Sequence, residues 1–455
     1  MIFNTLLQRL AQLIQPHRAE QLAKQHSWRR RSGKISGFEF LHSCLGQSSA
    51  RELTLSSQAS SLSQPVSRQA LDQRYTPAAV EFFKAAFQEC LATSLTWKPD
   101  SLMVQGLQQR FGAVRIFDST YCACSDTLEK IFPGPGGGAA QAGLKLLLSY
   151  DYGAGQLHPM ELLPATHTDQ ALAATATQQV GQGELGIFDK GFYKAQAFRC
   201  LVQRGGYFLI PWHRTVTVWE LDANEQCAKA LDIAASLKAS TQTLVEWKTV
   251  QLGKTEETSL KPVRLIAYRL PQESANRRRA HVRETCRTHK RPLTEAALEL
   301  AGWLILVTNA PVALLPSISV GYLYRVRWQI ELVFKQFKSV LRLDVLPSKN
   351  SSRVQCEIWA RLLNALLVFT WYQHANAACL QNHQCEISFA KVAKLLQQDG
   401  QVLTRALFSA RERLEAEFRT LWKKILLLAR KEHQPSRPTT WENLCAHWLD
   451  VPVAN

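Results

Sequence analysis

Apolar and polar positions alternate with different periods along this chain, and each change of period marks a new set of elements. Leu6, Leu7, Leu10, Leu13 and Ile14 recur at three- and four-residue spacing, and residues 1 to about 100 read as helices. From Ala113 the pattern becomes one of short apolar runs at 113–117, 144–150 and 184–188, with an alternating stretch near 156–162. Runs of that length between turn residues predict strands. His167 and Asp169 open a predicted helix over about 169–178. The stretches YFLIPW, RTVTVWEL, TLVEWKTVQL and VRLIAYRLP predict further strands, and WLILVTN (Trp303 to Asn309) a buried strand with a polar tip. The apolar stretch from Ile358 to Tyr372 predicts a core helix, and the sequence past about 376 stays helical. The fold class is therefore α/β.

One segment sorts its residues more sharply than any other. Placed on a single helix from Tyr322 to Asp344, at about 100° per residue, Tyr324, Arg327, Glu331, Lys335, Lys338 and Arg342 share an arc of roughly 80°. Val326, Ile330, Val333, Phe334, Phe337 and Leu341 fill an apolar face. A lone carboxylate thus stands in a row of cations, an arrangement that also suits a solvated face with salt bridges four residues apart.

Charge narrows the partners. Lys and Arg total 54 against 37 Asp and Glu, a net charge of +17 at 46% hydrophobic residues, which suits a polyanion. The eleven cysteines have no framework spacing and read as reduced thiols. The Ile358–Tyr372 stretch is interrupted by Arg361 and Asn364 and is too short to span a bilayer. The chain reads as cytoplasmic, without a membrane partner.

The spacing of Tyr324, Arg327, Glu331 and Lys338 resembles the Tyr-Arg-Glu-Lys signature of a large group of bacterial insertion-sequence transposases. AVRIFDST and LGIFDKGFY, which place Asp118 and Asp189 each directly after an apolar run, are similar to the contexts of that group's two catalytic aspartates. The resemblance implies a ribonuclease H-like catalytic core in which Asp118, Asp189 and Glu331 bind two Mg²⁺ ions, with Mn²⁺ as a substitute. Hard oxygen donors suit such ions, and in-line displacement at phosphorus is their chemistry. It further implies that Tyr324, Arg327, Lys335 and Lys338 contact DNA phosphates. Asp126, Asp151, Asp169 and Asp344 are rival carboxylates, and Asp151, which also closes an apolar strand, is the strongest of them.

The implied organisation is a helical N-terminal DNA-binding domain (1–100), the first part of the core (101–195), a β-rich insertion domain (196–300), the second part of the core with the signature helix (301–375), and a helical C-terminal region (376–455). In the N-terminal part, Trp28 adjoins the basic residues 29–31 and Lys34. Pro65 and Ser67 form a turn and cap before a helix carrying Arg68, Gln69, Gln73 and Arg74, a set suited to DNA recognition. Trp212 or Trp219 would stack on an unpaired base or pack into the core. NRRRAHVRETCRTHKR (276–291) is too cation-dense for a core and suits DNA-backbone contact. FPGPGGGAA (132–140) lacks the ending of a phosphate-binding loop and reads as a flexible connection. His281, Cys286 and His289 lack a fourth zinc ligand. The expected activity is cleavage of element ends and strand transfer into target DNA by a homodimer. A hydrolytic nuclease and a catalytically silent DNA-binding regulator are the alternatives.

Overall fold

A computed structural model describes residues 15–29, 33–48, 54–95, 102–136, 141–158, 161–222, 227–255, 258–339, 346, 348–407, 411–431 and 438–449. The predicted first helix, residues 30–32 of the basic cluster, residues 137–140 of the glycine-rich loop, and Leu341, Arg342 and Asp344 lie outside them.

The apolar runs become one sheet of eleven strands. These are β1 (Val114–Ala123), β2 (Gly143–Asp151), β3 (Gln156–His158), β4 (Leu162–Pro164), β5 (Leu185–Phe188), β6 (Tyr207–Pro211), β7 (Val218–Leu221), β8 (Cys227–Leu231), β9 (Leu244–Leu252), β10 (Leu260–Arg269) and β11 (Trp303–Thr308). Their order is β3-β2-β1-β5-β6-β11-β10-β9-β7-β8, with β4 beside β2. β1 runs antiparallel to β2, and β5 and β6 lie parallel to β1 and to each other. β7 to β10 extend the sheet through β11, which pairs with both β6 and β10.

Each face of the sheet has its own apolar layer. Phe117, Phe188, Phe198, Phe208 and Val307 build one, beneath the helices Asp169–Gln178 and Ala195–Gln203. Ile116, Ile187, Leu209 and Leu306 point to the other, as strand alternation requires. There they meet the helices Ser317–Arg325 and Trp328–Ser339 and the 33-residue helix Ser351–His383. That long helix is apolar on nearly every side and buried accordingly. It runs across residue 376, and the N-terminal helices Gly37–Ser48 and Pro77–Leu95 pack on it and share its core.

Two charged residues of this long helix, Glu357 and Arg361, are buried. Arg361 is 1% exposed, with Glu357 3.8 Å away; Glu357 is also bound by Arg353 at 2.9 Å. Burial raises the Glu357 carboxyl above its ordinary range against the pull of both arginines. Glu357→Ala would leave the Arg361 guanidinium buried without that carboxylate, a loss on the order of 3–5 kcal/mol. Urea unfolding should report it, and an unchanged midpoint would mean that other partners neutralise Arg361.

The predicted recognition helix is a single turn, Arg68–Asp72, capped by Ser67, whose hydroxyl accepts from the Ala70 amide. Gln73 and Arg74 fall past its end because the chain turns toward Tyr75, a core residue. Arg68, Gln69, Gln73 and Arg74 are nevertheless all exposed. Trp28 points inward, stacking on Phe40 with centroids 4.8 Å apart, and its indole N–H donates to the Arg74 carbonyl.

Candidate active site

The site begins with a register. In the parallel pair β1–β5, Phe117 is opposite Phe188, and their rings stack 4.8 Å apart on the far face. Gly186 leaves room for this, since a Cβ there would come within 2.5 Å of the Phe188 ring. The next residues, Asp118 and Asp189, are therefore level neighbours, and alternation turns both away from the phenylalanines, toward the helix Trp328–Ser339.

Asp118 does not end its strand. The pairing with β5 stops at Phe117, but the pairing with β2 continues to Ala123, so β1 runs on for five residues past Asp118. The apolar run ends there because only one neighbour remains. Asp189 does end its strand, and its side chain accepts from the Gly191 amide at 3.3 Å, capping a short 3₁₀ turn.

The expected continuous helix is broken. Ser317–Arg325 and Trp328–Ser339 are separate, joined by a tight turn at Val326 and Arg327 in which amides bond three residues back: Arg327 to Tyr324 and Gln329 to Val326, at 3.0 and 2.8 Å. Val326, Ile330, Val333 and Phe334 are buried, so the predicted apolar face is kept across the break. The turn aims Arg327 at the end of β5. Its guanidinium lies 2.5 Å from Glu331 Oε1, 3.6 Å from Asp118 Oδ2 and 4.0 Å from Asp189 Oδ1. The Tyr324 ring backs the same guanidinium, 5.8 Å from centroid to Cζ. Three acidic side chains from two strands and a helix thus meet on one cation.

The charges there are under stress. Burial pushes the Asp118 carboxyl up to about 6, with Asp189 and Asp169 adding repulsion; the Ser119 amide and Arg327 pull the other way. Burial raises Tyr324 well above the ordinary phenol range. The all-oxygen donor set is chemically suited to a hard divalent cation. The carboxylates are spaced around the guanidinium rather than around one another, and no group of three acidic, histidine or cysteine side chains is set to hold an ion among the described residues. For these three to share an ion, Arg327 must yield its place.

Of the rival carboxylates, Asp151 pairs with Arg115 in the β-ladder, three residues before Asp118, and its Oδ1 accepts from the Ala154 amide: a turn-capping role. Asp169 lies on the opposite sheet face, bound by Lys145 at 2.7 Å and by the Ser119 hydroxyl at 2.5 Å. Asp126 opens a 3₁₀ turn beyond the end of β1. Lys335 is exposed and Lys338 half-buried, neither ion-paired among the described residues. Trp212 is half-buried, with its indole N–H on the Val216 carbonyl. Arg68 opens the short helix Arg68–Asp72 and Arg74 lies in the turn after it, both in the N-terminal part of the chain.

Sequence reasoning gave no role to a second group of cations. Lys190 follows Asp189, and His213 and Arg214 follow β6. Burial lowers the Lys190 ammonium, with Arg214 adding to the effect, and burial lowers His213, with Lys190 and Arg214 adding to that shift. The signal available was the pair of polar residues after each of two neighbouring parallel strands, since ligand sites in such sheets collect at the carboxyl ends.

Residues 109–367 match the family described as transposase DDE domain. The transposase for insertion sequence element IS231F of Bacillus thuringiensis subsp. israelensis is 25% identical, covering 96% of this chain and 94% of that protein. Its counterpart for IS231C, from B. thuringiensis subsp. berliner, is 26% identical over 87% and 85%. The putative transposase InsL for IS186A of Escherichia coli (strain K12) is 28% identical over 51% and 62%. A solved piggyBac transposase synaptic complex with hairpin DNA aligns at a TM-score of 0.40 and 12% identity, over 92% of this chain and 82% of that one, too distant a likeness to carry an argument. The family match spans more than half of the chain and contains Asp118, Asp189, Arg327 and Glu331, so the chain belongs to the transposase DDE domain family, among the transposases of bacterial insertion sequences.

Proposed function

We propose that this transposase binds the terminal inverted repeats of its element, cleaves the DNA there and joins the freed 3′-OH to target DNA, two copies acting on the paired ends. The convergence of Asp118, Asp189 and Glu331 on Arg327 carries the reading. The order β3-β2-β1-β5-β6, three antiparallel strands followed by two parallel ones, supports a ribonuclease H-like core. Asp118, Asp189 and Glu331 would hold divalent cations, two Mg²⁺ in our reading, with Mn²⁺ as substitute. Such ions supply activation of the attacking oxygen and stabilisation of the leaving one. Lys335 and Lys338, one and two turns beyond Glu331, would hold phosphates flanking the scissile bond, with Tyr324 behind Arg327. The assay is strand transfer of a terminal-repeat duplex into plasmid DNA with Mg²⁺. Joined products support the proposal, whereas hydrolysis without joining would make the chain a nuclease.

Site recognition is assigned to the N-terminal helices, and the intact chain is the right material for testing it because those helices share a core with Ser351–His383. Arg68→Ala/Arg74→Ala in the full-length protein should reduce the preference for the terminal repeat over random duplex while leaving the melting temperature unchanged. Both side chains are exposed, and each lost phosphate contact should lower the salt dependence of binding by about one unit of slope. Undiminished preference in gel-shift competition would place site recognition elsewhere.

A further inference from the structure

The helix Gln272–Thr288 has 17 residues, of which only Ala275 is buried. A helix that is polar all round needs a reason to exist outside a core. Between residues 272 and 291 there are seven lysines and arginines against two glutamates. Two of the arginines are structural: Arg278 donates to the Trp303 carbonyl at 3.1 Å and Arg279 to that of Leu298 at 3.2 Å, fastening the helix to its own hairpin. Arg277 and Arg287 are offset by Glu273 and Glu284. Arg283, Lys290 and Arg291 are exposed and have no ion pair among the described residues. Lys290 adopts a left-handed conformation, φ 51°, which ends the helix and sets the last two cations at its tip.

The sheet register says where this arm stands. Ile187 pairs with Leu209, so Pro211 is level with Asp189; Pro211 pairs with Leu306, and Trp303 pairs with Arg269, where the chain leaves for the arm. The arm therefore springs from the sheet edge that carries Asp189. It starts about 10 Å further out in the same direction and three strands, about 15 Å, to the side. Lys190, His213 and Arg214 follow β5 and β6 on the same edge.

We infer that Arg283, Lys290 and Arg291 form a phosphate-binding arm for the duplex that flanks the scissile phosphate, gripping its backbone several base pairs from the three carboxylates. The inference rests on the transposase reading above. The partner is duplex DNA held for cleavage: the charge is complementary, the arm has no apolar face to offer a protein, and it rises from the catalytic edge.

The test is Arg283→Ala/Lys290→Ala/Arg291→Ala in the full chain, with Arg278 and Arg279 kept, against Arg283→Lys/Arg291→Lys. The probe is a duplex carrying the terminal inverted repeat joined to its natural flank. The alanine variant should bind it roughly 10-fold or more weakly, with the slope of log affinity against log salt shallower by about 2–3. Its melting temperature should be unchanged, and the lysine variant should bind like the parent. A parent that binds and cuts the junction while the alanine variant matches its affinity and slope overturns the arm alone. So does a variant impaired only in capturing target DNA. A parent with no preference for the junction overturns the transposase reading and the arm with it.

Discussion

Asp118→Asn, Asp189→Asn and Glu331→Gln should each abolish divalent-cation-dependent cleavage of element ends while leaving binding of those ends largely intact. Each carboxylate comes from a different element, β1, the end of β5 and the helix Trp328–Ser339, so among the described residues no second carboxylate of the same element stands ready to replace one that is lost. Asp169, the nearest rival, is on the opposite sheet face and tied to Lys145 and Ser119. Losing a ligand that carries several kcal/mol of charge stabilisation corresponds to a rate loss on the order of 10³-fold or more. The variants should also differ in stability. Burial holds the Asp118 carboxyl up at about 6, so its charge is unfavourable at neutral pH. Asp118→Asn relieves that cost and should melt at or above the parent temperature, whereas Glu331→Gln gives up its close pair with Arg327 and should melt below it. Cleavage and thermal melts on the same preparations decide both points. Substantial cleavage by Glu331→Gln would remove it from the site.

How much of this was legible beforehand depended on how local the cause was. Strands β1, β2, β5 and β11 follow from apolar runs between turns; the helix Asp169–Gln178 was expected from His167 and Asp169 at its start, and its cap is Thr168, whose hydroxyl accepts from the Ala171 amide. Asp118 and Asp189 were readable as a pair through the resemblance, each standing directly after an apolar run; that both face the same way is set by the β1–β5 register, which the sequence does not show. The break at Val326–Arg327 was not readable, since Tyr324 to Lys338 fits a single helix equally well on paper. The break depends on Tyr324, Val326 and Arg327 finding tertiary partners. The shortness of Arg68–Asp72 likewise depends on Tyr75 entering a core whose other members are distant in sequence. The cationic stretch at 276–291 was legible as exposed, but its place on the sheet edge that carries Asp189 needed the order of β6, β11 and β10.

Arg327→Ala is expected to separate two roles that a shared helix face made look alike. Arg327 and Lys338 both read as phosphate contacts, yet Arg327 is engaged by all three carboxylates, whereas Lys338 has no ion pair among the described residues. Removing the guanidinium leaves three carboxylates, one of them largely buried, with less opposing charge. In chelator at neutral pH the variant should therefore lose about 1–3 kcal/mol, the scale of charge-assisted contacts discounted for partial exposure. Adding Mg²⁺ should recover more of the melting temperature in Arg327→Ala than in the parent, because the cation no longer competes with an arginine for the same oxygens. Titration calorimetry should correspondingly show tighter Mg²⁺ binding to the DNA-free variant. Arg327→Lys keeps the charge but presents one compact ammonium where a planar fork reaches three acids, so it should fall between the two. Lys338→Ala should melt like the parent in both buffers and lose protection of the phosphates beside the scissile bond. If Arg327→Ala also melts like the parent in chelator and gains no affinity for Mg²⁺, Arg327 is a phosphate contact only, and its position among the carboxylates has no part in loading the site.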